Sequence, residues 1–84
     1  MTGKKLFRKV VKLVFPQKLI KKPLTFRMAK KYDIIPNIRR AKVTETVGEL
    51  ILELDGDEKN VVAGIKYLEK CGVAVKPIEG DIVD

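Results

Sequence analysis

The chain has 84 residues, of which 45% are hydrophobic and 35% charged, and its formal net charge at pH 7 is +7. At this length one two-layer domain buries roughly 60% of the surface of the unfolded chain, which leaves no room for a second core. With one cysteine and no histidine, the sequence excludes an internal disulfide and the paired ligands of a zinc or iron–sulfur site, and it lacks the commonest general base at neutral pH.

The sequence offers no segment for membrane insertion or secretion. No apolar run approaches the roughly 20 residues of a membrane helix. Arg8, Lys9 and Lys12 interrupt the N-terminal apolar residues before they reach the length of a signal-peptide core. We therefore expect a cytoplasmic protein without direct membrane insertion, with one domain at residues 8–80 between a basic tail at 1–7 and a second tail at 81–84.

The hydrophobic period changes in a fixed order along the chain, and each change marks a predicted element. Period 2 covers Val10 to Phe15, Ile38 to Glu45, Glu49 to Asp55 and Val73 to Ile78, whereas helical spacing covers Pro23 to Tyr32 and Glu58 to Cys71. This order predicts an α+β fold, a ferredoxin-like βαββαβ sandwich. We expect an antiparallel sheet in strand order 4-1-3-2 with both helices on one face.

The first predicted strand has one face without lysine, formed by Val11, Leu13 and Phe15, and we expect that face in the core. Pro23 fits the first turn of the helix that follows. On that helix the apolar arc includes Met28 and Phe26, and the basic stripe opposite consists of Arg27, Lys30 and Lys31. The simpler interpretation of the stripe is a solvated helix face, and the alternative is a docking surface for an acidic partner.

The second half of the chain carries the clearest local signals. Thr46-Val47-Gly48 predicts a hairpin connection, because Gly48 can take a positive φ. Leu50, Leu52 and Leu54 predict the buried face of the next strand. The second helix has Asp57 as its expected N-cap and Gly72 just past its end. Gly64 lies beside the apolar seam of this helix and predicts a close approach to the sheet or the other helix.

Charge is distributed unevenly along the sequence. Residues 1–42 hold 14 of the 18 Lys and Arg together with a single acid, Asp33. In the predicted sheet, however, the basic first strand lies antiparallel to the acidic third strand. Lys12 then faces Glu49 or Glu53, in cross-strand pairs that stabilise by about 0.2 to 1 kcal/mol each. We therefore expect much of the asymmetry to be neutralised within the domain.

Two function classes are disfavoured by the residues themselves. No catalytic constellation is present, so we predict no enzyme activity, no catalytic residues, no metal ligands and no cofactor. RNA-recognition modules share the βαββαβ order and need stacking aromatics on the central strands. The open face of the third strand here offers Glu49, Ile51 and Glu53, and these acids repel phosphate. We expect no specific nucleic-acid partner.

The ordered set of motifs resembles the NIL domain family. The residues that carry the resemblance are Val10 to Pro16, Lys22-Pro23, Tyr32-Asp33-Ile34, Asn37-Ile38, Arg40-Ala41-Lys42, Leu50 to Gly56, Ile65 to Leu68 and Gly72-Val73. Members of this family are ferredoxin-like ligand-binding domains. They occur at the C-terminus of methionine-importer ABC ATPases and also joined to ferredoxin-type domains, and the second branch looks more similar.

The resemblance implies non-catalytic, regulatory binding of a small amino acid, methionine or a relative, at a homodimer interface. Asn37 is the residue that we assign to the polar end of the ligand, because an amide both donates to a carboxylate and accepts from an ammonium group. Ile38, Phe26 and Met28 are assigned to its apolar side chain. For Asn37 the structural alternative is a turn residue that bonds its own backbone after Pro36.

Dimerisation has a motive in the predicted sheet, since the strand from Ile38 to Thr44 is an edge that a second copy could cover. The apolar residues expected on the open face add to that motive; they are Val10, Val14, Ile38 and Ile51. The alternative function is an interaction module that docks a ferredoxin-type redox partner, an ABC ATPase or a larger assembly.

One residue departs from the family pattern. The family triplet Asn-Ile-Leu reads Asn37-Ile38-Arg39 here, and simple alternation would place Arg39 on the core face with Ala41 and Val43. Either an irregular strand start at Pro36 turns Arg39 outward, or its stem lies along the edge of the core with the guanidinium in water.

Overall fold

Strand pairing in the computed structural model, which describes residues 7–78, follows the predicted topology. The elements are β1 (Phe7–Pro16), a short 3-10 helix (Gln17–Leu19), α1 (Leu24–Tyr32), β2 (Ile35–Val43), β3 (Val47–Gly56), α2 (Glu58–Cys71) and β4 (Ala74–Pro77). The strands form one antiparallel sheet in the order β2-β3-β1-β4, so the predicted order and fold class are confirmed. β1 begins at Phe7, and the rest of the two predicted tails lies outside the described residues.

The core lies between one face of the sheet and the two helices. The predicted alternation of β1 is confirmed, because Val11 and Leu13 are fully buried and Phe15 is nearly so. Val11 stands opposite Leu52 and Leu13 opposite Leu50, so the two central strands present their apolar residues to the same side. From the helices, the core receives Leu24, Met28, Val61 and Leu68.

The ends of α2 follow the sequence signals. The Asp57 side chain accepts a hydrogen bond of 3.0 Å from the backbone N–H of Lys59, and Gly72 ends the helix with a φ of 105°. Both capping predictions are confirmed. α1 begins after Pro23 without a side-chain cap, and ends at Asp33 in the left-handed conformation, which aspartate tolerates better than most residues.

The two helices pack closely together at Gly64. A Cβ built on Gly64 would lie 2.6 Å from Cδ1 of Ile34 and 2.8 Å from Sδ of Met28. Both of those side chains belong to the buried core. The predicted close approach is therefore confirmed, with Met28 of α1 and Ile34, between α1 and β2, as the neighbours of Gly64.

β2 differs most from the sequence prediction. It begins at Ile35 and includes Pro36 and Asn37, so Asn37 is a strand residue and the alternative of a turn residue after Pro36 is wrong. Ile38 pairs with Leu52 and Arg40 with Ile51, with a register shift between the two pairs. This β-bulge places Arg39 as an extra residue between the two pairs. Beyond the bulge, Ala41 and Val43 lie opposite Leu50 and Gly48 on the helix side.

Two further expectations are corrected. Gly48 lies inside β3 opposite Phe15, and its neighbour Ile20 comes within 3.4 Å of a built Cβ. Close packing, not a positive φ, explains this glycine; the hairpin closes instead through a 2.8 Å hydrogen bond from the Thr44 N–H to the Val47 carbonyl. Ile38, expected on the open face, pairs with buried Leu52 and so belongs to the helix side.

Candidate functional site

A groove runs between α1 and the beginning of β2. The helices leave the helix side of β2 largely uncovered, and as a result Ile38 and Val43 are 63% and 64% exposed. The groove has a volume of about 530 Å³ and is lined by Thr25, Phe26, Ala29, Lys30, Ile34 and Pro36. Its walls are mainly apolar, and Lys30 is the charged side chain among them.

Phe26 stands at the centre of this surface. It was expected on the apolar face of α1, yet 64% of it is exposed, because the helix buries Leu24 and Met28 and packs Tyr32 against the core, and Phe26 lies outside that contact. A second recess of about 190 Å³ lies beside it, bounded by the start of α1 and the far ends of β2 and β3. Phe26 and Thr25 line both cavities. The exposed Phe26 ring is therefore part of the wall of two adjacent apolar recesses.

The basic stripe of α1 is exposed as predicted, and two of its cations also lie against aromatic rings. The Nζ atom of Lys30 is 5.8 Å from the ring centroid of Phe26. That of Lys31 lies 5.6 Å from the ring of Tyr32 and 5.4 Å from the ring of Tyr67. Such contacts stabilise by about 0.5–1 kcal/mol at exposed sites. They also hold the Lys30 charge at the rim of the groove, where an anionic group of a ligand would meet it.

The four predicted site residues do not all come together. Phe26 lines the groove, and Ile38 lies on the same side of the sheet as the groove residue Pro36. Met28 is fully buried and supports the groove from beneath without opening into it. Asn37 is exposed and pairs with Glu53 on the open face, so within one protomer the sheet separates Asn37 from Phe26.

The sequence analysis did not select several groove residues. Ala29, Ile34 and Pro36 were not among the predicted site residues, and their contribution to the groove depends on how far α1 stands from β2. Helical periodicity places Ala29 beside Phe26 but does not give the distance to a neighbouring strand. The signal available in the sequence is the pair Ile34 and Pro36, which lies on either side of Ile35 at the beginning of the edge strand β2. Ile35 is exposed in the structure.

The open face of the sheet carries three ion pairs among the described residues, of which one was predicted. Arg8 donates to Asp55 in two hydrogen bonds of 2.7 and 3.1 Å, and Glu53 lies 3.8 Å from the same guanidinium. The Asp55 hydrogen bond and charge raise the pKa of Arg8, with a smaller contribution from Glu53. Lys12 and Glu49 are 3.7 Å apart, which confirms the predicted pair. Within residues 7–78, no helix is both long and apolar enough to cross a membrane.

Known proteins resemble this chain along most of its length. The model of the NIL domain family matches residues 9–77. Methionine import ATP-binding protein MetN 1 of Listeria monocytogenes is 31% identical over 75 residues, which are 84% of this chain and 22% of that protein. Methionine import ATP-binding protein MetN 2 of Acinetobacter baylyi is 33% identical over 70 residues, 79% of this chain and 20% of that protein. The chain thus spans about a fifth of the length of these relatives.

Among solved structures, the C-terminal domain of an ABC transporter / ATP-binding protein from Enterococcus faecalis superposes with a TM-score of 0.77. It is 27% identical to this chain, and the match covers 87% of this chain and 86% of that one. The similarity therefore extends over the whole sheet and both helices, and it is not limited to the groove or to one hairpin.

Proposed function

We propose, from the premise that this chain belongs to the NIL domain family, that it is a non-catalytic domain that binds a small amino acid in the groove between α1 and β2. The observation that carries the proposal is the groove itself, a shallow and open apolar depression of about 530 Å³ with an exposed phenylalanine on its wall and a lysine at its rim. Apolar walls with a few placed polar groups are typical of small-molecule sites.

Methionine is the amino acid that we propose, because its chemistry fits the two parts of the groove. A thioether side chain packs well against an aromatic ring, and Phe26 offers such a ring at the surface. The Nζ atom of Lys30 lies 5.8 Å from the centre of that ring, within reach of the carboxylate of a ligand seated there. The relatives named as methionine import ATP-binding proteins support this choice.

The site is completed, in our proposal, by a second copy of the chain. β2 is an edge strand of the sheet, and every residue from Asn37 to Val43 is exposed. An exposed edge of this length is a natural place for a partner strand. The sheet separates Asn37 from Phe26 within one protomer, and pairing of two β2 edges would keep Asn37 on the open face. We therefore assign Asn37 to the polar end of a ligand in a dimer in which the groove of one copy lies against the Asn37 end of the open face of the other.

The role that follows is regulatory. A domain that binds an amino acid without transforming it acts by the difference in affinity between two states of a partner. The relatives are ATP-binding proteins of importers, about five times longer than this chain. We therefore propose an ABC ATPase as the partner that reads the ligand state, and the cytoplasmic side as the location.

Calorimetric titration with L-methionine tests the proposal. At a ligand concentration of 100 Kd the wild-type chain should gain about 2.7 kcal/mol of stability, measurable as a thermal shift. Asn37→Ala and Phe26→Ala should each weaken binding by about 1.5 to 3 kcal/mol, some ten- to a hundredfold. Arg27→Ala is the matched control, because Arg27 is exposed on the same helix but does not line the groove. Absence of heat and of a thermal shift at millimolar methionine would refute the choice of ligand.

A subunit-mixing experiment tests the shared site. If each site takes Phe26 from one copy and Asn37 from the other, then mixing Asn37→Ala with Phe26→Ala dimers creates heterodimers with one intact site. Equal mixing should restore roughly a quarter of the binding sites, as random pairing makes half of the dimers mixed. No recovery after confirmed subunit exchange would mean that the two residues do not act across an interface.

A further inference from the structure

A separate concavity lies on the open face of the sheet, on the side away from the α1–β2 groove. Its volume is about 260 Å³, and it is lined by Lys12, Arg40, Lys42, Glu49 and Ile51. Three long cationic side chains therefore surround an isoleucine floor, with one carboxylate among them. No groove residue lines this concavity, and the predicted ligand residue Asn37 lies on the same face of the sheet without lining it.

The strand register explains why the cations meet. Arg40 pairs with Ile51, and Ile51 pairs in turn with Lys12. The two cations therefore flank one isoleucine from both sides, at backbone separations of about 5 Å per strand. Lys42 pairs with Glu49 in the next row of the sheet. Because residues paired in an antiparallel ladder share a face, the Arg40, Lys42 and Lys12 side chains leave the sheet on the same side.

The bulge in β2 is what puts Arg40 and Lys42 on this face. Ile38 pairs with Leu52 on the helix side, and without an interruption every second residue after Ile38 would follow it there. Arg40 and Lys42 would then lie over Leu50 and Gly48. Bulges are frequent where a strand re-aims side chains near a binding site. In this strand the bulge gathers positive charge beside Lys12 and returns Ala41 and Val43 to the helix side.

The concavity carries more positive charge than its own acids neutralise. The Lys12 ammonium group lies 3.7 Å from the Glu49 carboxylate, which is the single acid among the lining residues. Lys76 of β4 pairs with Lys12 and adds a further cation to the same row. At the other end of the face, by contrast, Arg8 is already engaged by Asp55 and Glu53. Positive charge is therefore concentrated around Ile51.

We propose that this concavity binds a compact anion that carries phosphate groups. A guanidinium group matches two phosphate oxygens at once, and lysine ammonium groups supply point charges around it. Three cations against one carboxylate favour a ligand with at least two negative charges. Among residues 7–78, this face carries no aromatic side chain on which bases would stack, so the shape and charge of the cluster favour a small phosphorylated ligand over single-stranded nucleic acid.

The proposed anion site is independent of the amino-acid site. The residues that line the concavity differ from the groove residues and from Asn37. Failure to bind methionine would therefore leave the anion proposal unaffected. The converse also holds, because Phe26 and Lys30 lie on the other side of the sheet.

Calorimetric titration with sodium tripolyphosphate at 50 mM NaCl is the direct test. We expect one anion per concavity, and a five- to tenfold weaker affinity, as an order of magnitude, in each of Arg40→Gln and Lys42→Gln. Lys66→Gln is the matched control. It removes the same charge from an exposed position on α2 and should leave the affinity within about twofold, since its charge is distant and screened. Equal losses in all three variants, or no binding at millimolar tripolyphosphate, would overturn the proposal.

Further titrations separate the sources of the anion. Inorganic phosphate, ATP and succinate are compared with tripolyphosphate under the same conditions. Tighter binding of ATP supports a nucleotide whose sugar and base rest on Ile51, and equal binding supports recognition of the phosphate chain alone. Succinate binding as tightly as tripolyphosphate contradicts the phosphate assignment. So does a decauridylate that binds more tightly than tripolyphosphate.

Discussion

Replacing Gly64 by alanine sets two opposing effects against each other inside α2. Alanine is favoured over glycine in a helix by about 1 kcal/mol, so the substitution would stabilise an uncrowded helix. At this position, however, the new methyl group would lie 2.6 Å from Cδ1 of Ile34 and 2.8 Å from Sδ of Met28. Both contacts are far shorter than a van der Waals separation of about 3.5–4.0 Å. One or both side chains must move.

The cost of that movement decides the sign. Side-chain ends move easily where there is free space, but Met28 is fully buried and Ile34 is 4% exposed. Overpacking in such a core costs about 1–3 kcal/mol, which exceeds the gain in helix propensity. We expect Gly64→Ala to lower the free energy of unfolding by about 1 kcal/mol, or to lower the Tm by about 4–8 °C for a domain of this size.

Urea denaturation followed by far-UV circular dichroism measures the effect. Lys66→Ala, on the exposed face of the same helix, is the control and should change stability by no more than about 0.5 kcal/mol. Ile34→Val removes the nearest methyl group and costs about 0.5–1.5 kcal/mol by itself. In the Gly64→Ala background it should cost about 1 kcal/mol less, as contacting residues couple. If Gly64→Ala is more stable than wild type, the close helix approach is not what selects glycine here.

Two other predictions concern the end of α2 and the assembly. Gly72→Ala should destabilise the fold by about 1–2 kcal/mol in urea denaturation, because a φ of 105° is unfavourable for a residue with a Cβ; a neutral result would contradict the left-handed cap. Light scattering at high micromolar concentration should give the mass of a homodimer, because the β2 edge is exposed along its length, and a monomeric mass would count against the shared amino-acid site as well.

The sheet and α2 were predictable because their signals are local. In β1 and β3 the buried and open faces follow strict alternation, and Val11, Leu13 and Leu52 are buried where the pattern placed them. The ends of α2 follow from Asp57 and Gly72, whose side-chain and backbone chemistry acts within a few residues. Strand order followed from the order of elements, since few topologies connect βαββαβ without crossing.

The surface around β2 was less predictable because it depends on distances between elements. The periodicity of α1 does not indicate how far the helix extends over the sheet. The exposure of Phe26 could therefore not be predicted from the sequence. Arg39 conflicts with alternation in the sequence, but alternation does not say where a strand absorbs its extra residue. The placement of Asn37 on the open face depends on the same strand pairing.

Deletion of one of the two adjacent arginines of β2 tests whether anion binding depends on the overall positive charge or on the position of the Arg40 guanidinium. Ile38 pairs with Leu52 and Arg40 with Ile51, so removal of Arg39 leaves a regular ladder in which the remaining arginine still lies opposite Ile51. The deletion and Arg40→Gln each remove one positive charge. Only the substitution removes the guanidinium from the concavity. We expect the deletion to weaken tripolyphosphate binding less than Arg40→Gln does, because the deletion leaves a guanidinium opposite Ile51. Equal losses in the two variants would show that overall charge, and not the position of Arg40, determines binding.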